Sequence, residues 1–174
     1  VGRTGHILGE IYQQVNHPGM LLIFDAANVL VQGFSPADVV QQYLAMKPGL
    51  GWMHIKDYCR PNGLSSGEAK PAGPVDEETM KNFVPADVGQ GCHEVILRDF
   101  SRILPAVERK LRRRGIPGVF LDLEPHLKGG GQFGGFSGPD GMGVAVRSLV
   151  RVLDFIGIDY HLRDFADIQA ARGF

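Results

Sequence analysis

"GWMHIKD", residues 51–57, is the stretch on which the fold turns. Trp52, Met53 and Ile55 have the apolar, β-favouring character of a buried strand. His54 interrupts them, Lys56 and Asp57 close the run, and Arg60 follows. A core strand that ends in an imidazole and a group of charges points to a binding edge. Two other stretches share the pattern. "MLLIFD" (20–25) is a continuous apolar run of strand length that ends in Asp25. "GVFLDLE" (118–124) is a third, and it ends in Glu124.

Helical periodicity fills the intervals. Ile7, Leu8, Ile11, Tyr12 and Val15 recur at helical spacing over residues 4–16, with Thr4 as N-cap. Ser35-Pro36 opens a second helix, with serine as cap and proline at the first helical position. Residues 93–114 form a third, in which Pro105 predicts a break or kink near Leu104. Its basic end, "ERKLRRRG", complements the helix dipole as a solvated last turn. A Gly-rich loop over 128–143 precedes a final strong helix from Val144, and the tail 158–174 reads as a short docked helix. Residues 58–92 are a long Pro/Gly/Ser-rich excursion in which Val75, Met80, Phe83 and Val84 can pack. Strands alternating with helices imply parallel βαβ units in one α/β domain over 1–174.

Bulk properties are those of an ordinary globular domain: 174 residues, 44% hydrophobic and 21% charged. A formal net charge of −1 argues against nucleic acid and anionic membrane as partners. No apolar run approaches the ~20 residues of a membrane span. Cys59 and Cys92 lack metal-knuckle spacing and read as reduced thiols, so a cytoplasmic location is expected.

In a parallel sheet the three polar strand ends lie on one edge, where ligands bind in open α/β sheets and in β/α barrels. Asp25, His54 and Glu124 are ligand types that suit Mn, Mg or Zn, and a divalent cation removes the repulsion between the two carboxylates. A hydrogen-bonded cluster is the bland alternative. Strand parity puts Leu21, Ile23 and Asp25 on one face, Trp52, His54 and Lys56 on one, and Phe120, Asp122 and Glu124 on one. Asp122 then lies one layer below Glu124, and Lys56 either pairs with it or reaches substrate.

The segments "LLIFDAANVLVQG", "MHIKDY", "VPADVGQG" and "LDLEPHL" resemble the last three β/α units of the sugar phosphate isomerase/epimerase family, the xylose isomerase-like barrels. That group includes ketose 3-epimerases, hydroxypyruvate isomerase and inosose dehydratase. The resemblance implies the C-terminal portion of a (β/α)8 TIM barrel. It implies Asp25, His54 and Glu124 as three of four metal ligands, the fourth being a glutamate upstream of Val1. It further implies a metal-dependent isomerase or epimerase that moves a proton next to the carbonyl of a sugar or sugar-like substrate, with Glu124 as one of two acid/base groups. Arg60 stands where the epimerases place a substrate-binding arginine, although a loop-surface arginine is an equal reading. His126 either touches substrate or orients Glu124. The epimerases carry Asp-x-x-His on the first of these strands, whereas this chain has Asp25-Ala-Ala-Asn28. Asn28 can hydrogen-bond substrate but cannot exchange a proton near neutral pH, which speaks against ketose 3-epimerisation itself.

The loop "GGGQFGGFSGPDGMG" lacks the ending of a nucleotide loop and reads as a lid, with Phe133 and Phe136 closing on the ligand. Three parallel strands leave open edges. Strands outside residues 1–174 are expected to cover them, the alternative being a second copy in a homo-oligomer. Two rival functions are a non-catalytic barrel that binds a sugar or acid, and an endonuclease-IV-like DNA repair phosphodiesterase. The latter requires a histidine at position 28 and an Asp-x-His pair after the second strand, and neither is present.

Overall fold

The structure, a computed structural model, describes residues 4–60, 76–127, 135–136 and 138–162. In chain order the elements are α1 (Gly5–Val15), β1 (Leu22–Asp25), α2 (Ala26–Val31), α3 (Pro36–Met46), a 3-10 turn (Lys47–Gly49) and β2 (Leu50–Ile55). There follow β3 (Asp57–Tyr58), α4 (Glu77–Met80), β4 (Phe83–Val84), α5 (His93–Arg112), β5 (Leu121–Leu123) and α6 (Gly138–Ile156). The α/β class expected from the alternation is present. β1, β2 and β5 form a parallel sheet in the order β1-β2-β5, and β3 and β4 form a small antiparallel pair beside it.

The helix starts follow their local chemistry. Thr4 Oγ1 accepts the Ile7 N–H and caps α1. Ser35 and Asp38 form a reciprocal capping box at α3: Ser35 Oγ accepts from Asp38 N, and Asp38 Oδ2 accepts from Ser35 N. α1 lies almost backbone to backbone on α3. A Cβ on Gly5 would fall 2.4 Å from the Gln42 carbonyl oxygen, and one on Gly9 2.4 Å from that of Ala45. Only glycine permits this approach.

The sheet has two unlike faces. Leu22, Phe24, Met53 and Ile55 are buried under the helices, with α3 against β1, α5 against β2 and α6 against β5. Phe24 meets Tyr43 edge-on at 5.6 Å. Tyr43 donates to Asp99, and Lys47 pairs with the same carboxylate, so α3 and α5 are tied together beneath the sheet. Burial of each large side chain in this layer contributes about 1.5–3 kcal/mol. The opposite face is open among the described residues: Ile23 and Phe120 are each 38% exposed. The alternation of faces predicted from parity therefore holds.

α2 is a helix to which the sequence patterns assign no element; Asp25 both ends β1 and caps it through Oδ1. Three local expectations are corrected. α5 runs unbroken through Pro105, which lies on the exposed side, where water can replace the lost backbone bond. β5 begins at Leu121, shorter than the expected 118–124. α6 begins at Gly138, inside the expected glycine loop. Residues 61–75, Phe133 and the tail from 163 lie outside the described residues.

Candidate metal centre

The register builds the site. Asp25 stands opposite His54 across β1 and β2, and His54 stands opposite Asp122 across β2 and β5. Glu124 lies one residue past β5, and its N–H still donates to Ile55 O at 3.0 Å. The ladder thus continues, and the two-residue side-chain period returns Glu124 to the face that carries Asp122 and His54. One ligand atom each from Asp25, His54 and Glu124 lies within 4.8 Å of the other two. His54 Nδ1 is 3.4 Å from Glu124 Oε2 and 3.8 Å from Asp25 Oδ2.

The cluster could hold a divalent cation. Donor atoms bonded to one ion at about 2.0–2.2 Å stand no more than about 4.4 Å apart. The two separations measured from His54 Nδ1 lie inside that limit. Asp25 is held from both sides. Its Oδ1 accepts the Asn28 N–H at 3.1 Å, and its buried Oδ2 faces the Lys56 ammonium at 2.9 Å in a side chain only 8% exposed.

Lys56 brings a cation of its own. Its Nζ lies 2.7 Å from Glu124 Oε2 and 2.9 Å from Asp25 Oδ2, with the side chain 7% exposed. Of the two readings of Lys56, the pairing with Asp122 does not form; Asp122 is exposed. The physical reason is register: Asp122 lies level with His54, whereas Glu124 lies a step beyond, beside Lys56. Burial works against the charge on Lys56, but the hydrogen bond to Glu124 and the charge of Asp25 outweigh it and raise its pKa above the ordinary lysine value. The Lys56 hydrogen bond in turn holds Glu124 below the usual carboxylate range, against a smaller effect of burial.

Of the remaining predicted residues, His126 and Asn28 touch candidate ligand residues through hydrogen bonds, and the backbone of Arg60 bonds to Gln90. His126 adopts a left-handed backbone (φ 50°) and its Nδ1 lies 2.8 Å from Glu124 O. A carbonyl can only accept, so Nδ1 carries the proton and Nε2 is left as an acceptor when the ring is neutral. The ring rests on Phe83 at 5.1 Å. Asn28 is exposed and gives its backbone N–H, not its side chain, to Asp25. Arg60 is anchored through its N–H to Gln90 Oε1, and its charge acts on Asp38 and Tyr58. Phe136 is 38% exposed, and the rest of the proposed lid from 128 to 134 lies outside the described residues.

One buried polar assembly escapes sequence reading. His93, the first residue of α5, is 4% exposed, and its Nε2 lies 3.0 Å from Lys56 O. Asp57, 1% exposed, accepts at Oδ1 from the N–H groups of Tyr58 and Gly91, both at 2.7 Å. A Cβ on Gly89 would meet the Asp57 carboxylate at 2.2 Å. The glycines of "DVGQG" are therefore the visible trace of this assembly in the sequence. Together Asp57 and His93 fasten the loop before α5 to the end of β2, directly behind Lys56.

Burial pushes the Asp57 carboxyl up to about 6, against the pull of His93 and of the Tyr58, Gly91 and Gln90 N–H groups. An acid whose pKa is higher folded than unfolded binds more protons in the native state. Its contribution to stability is therefore present at low pH and lost as pH rises from about 4 through 6, by on the order of 3 kcal/mol. Asp57→Asn keeps an oxygen acceptor and removes the charge. Urea unfolding from pH 4.5 to 7.5 is expected to show a flatter or rising stability in the variant relative to the unsubstituted protein; parallel pH profiles would contradict the assignment.

No family model matches the chain, and no curated protein or solved structure matches it at a significant level. Among the described residues no helix is long and apolar enough to cross a membrane.

Proposed function

We propose that the chain is the C-terminal part of a (β/α)8 barrel of the sugar phosphate isomerase/epimerase type, and that it works as a metal-dependent isomerase or epimerase on a sugar or sugar-like hydroxy-carbonyl compound. The observation that carries this reading is the convergence of Asp25 Oδ2, His54 Nδ1 and a Glu124 carboxylate oxygen at the C-terminal edge of a parallel sheet. Helices on one face and an open apolar face on the other, with Ile23 and Phe120 at the surface, suit a segment of barrel wall whose inner side awaits further strands.

A divalent cation held by Asp25, His54 and Glu124 supplies Lewis acidity toward the oxygens of the substrate. The residues of the chain do the rest. Glu124 has one oxygen on Lys56 and a side chain that is partly open to solvent, so it can take a proton from the carbon beside the carbonyl and return it. Lys56 offers positive charge where negative charge develops on the substrate oxygens. Asn28 and His126 are exposed, and in this reading they hydrogen-bond hydroxyl groups of the substrate.

The test is proton exchange. The protein with Mn2+ is incubated in D2O with a panel of ketoses, aldoses and hydroxypyruvate, and loss of the proton next to the carbonyl is followed by NMR. Enzyme-dependent exchange with at least one compound is expected. Saturable binding without exchange would overturn the catalytic reading in favour of a barrel that only binds.

A further inference from the structure

We infer that Lys56 is a built-in competitor of the divalent ion, and that it sets how tightly the centre holds that ion. The inference rests on the metal reading above. The same two oxygens that complete the cluster, Asp25 Oδ2 and Glu124 Oε2, are the ones Lys56 Nζ approaches, at 2.9 and 2.7 Å. The two carboxylates carry two negative charges, and Lys56 cancels one of them before any ion arrives. A divalent cation drawn to these oxygens meets a like charge beside it and a smaller net negative charge than the carboxylates alone would offer.

The ammonium cannot withdraw freely. Its side chain is 7% exposed, and the Lys56 carbonyl is held by His93 Nε2 at 3.0 Å, so the backbone that carries it is fixed. The arrangement has two consequences. Without the ion, Lys56 keeps Asp25 and Glu124 from repelling each other, so the site can stand preformed. With the ion, the same charge loosens the complex and keeps the cation exchangeable. A merely structural lysine behaves differently: its loss disturbs the site and weakens ion binding.

Calorimetric titration with Mn2+ separates the two. Lys56→Met is expected to bind Mn2+ at least about 10-fold more tightly than the unsubstituted protein. Thermal unfolding is expected to show the ion-free variant less stable, with a larger upward shift in Tm on adding Mn2+. Lys56→Gln, which is neutral but can still hydrogen-bond Glu124, is the second variant should Lys56→Met fail to fold, and the same tightening is expected. Equal or weaker Mn2+ binding in the neutral variants, with normal binding in the unsubstituted protein, overturns the competitor role and leaves the centre standing. No Mn2+ binding in any of the three proteins overturns the metal reading itself, and the inference with it.

Discussion

Glu124→Gln is expected to lower the rate of proton exchange at the substrate by about 10²–10⁴-fold, the usual contribution of a general acid–base group. The substitution preserves shape and a carbonyl oxygen, so Lys56 keeps an acceptor in place of the Glu124 oxygen it now contacts at 2.7 Å. Asp25 remains as the second partner of that ammonium. The fold should therefore survive, with an unchanged far-UV spectrum and a closely similar urea midpoint. Because Glu124 is also a candidate ligand, the comparison is made at Mn2+ concentrations that saturate both proteins. A variant that stays active within a few-fold under those conditions removes Glu124 from the acid–base role.

His54→Ala is expected to abolish stoichiometric Mn2+ retention. Outer partners of metal ligands typically cost 10–100-fold in affinity when removed, and loss of a ligand should exceed that. The side chain of His54 is 28% exposed and no hydrogen bond of the fold depends on it among the described residues, so stability should change little. Elemental analysis after dialysis provides the readout. Metal content undiminished in the variant counts against the ligand set, whatever happens to activity.

The α/β class and the three-residue cluster are legible in the sequence. Strands that carry Asp25, His54 and Glu124 at or just past their C-terminal ends can be found from short apolar runs, and their convergence follows from the parallel pairing that alternating helices impose. Asp25 misled in one respect: the same carboxylate that faces the cluster also caps α2, and "AANVLV" continues the apolar run without a break. The glycines of 138–143 concealed the start of α6, since composition marks them as loop while the helix forms through them. Lys56 could be assigned to a face by parity but not to a partner, because the partner depends on the stagger between β2 and β5. Asp57 and His93 are 36 residues apart in the sequence; only the packing of α5 against β2 brings His93 beneath the strand end. No periodicity records that contact.

The most direct measurement is X-ray diffraction from crystals of the protein grown or soaked with Mn2+, recorded near the manganese absorption edge. An anomalous peak bonded to Asp25 Oδ2, His54 Nδ1 and a Glu124 carboxylate oxygen is the expected result. A peak bonded elsewhere, or none at these three side chains while Lys56 still bridges the two carboxylates, would contradict the metal centre and reduce the cluster to an internal ion pair.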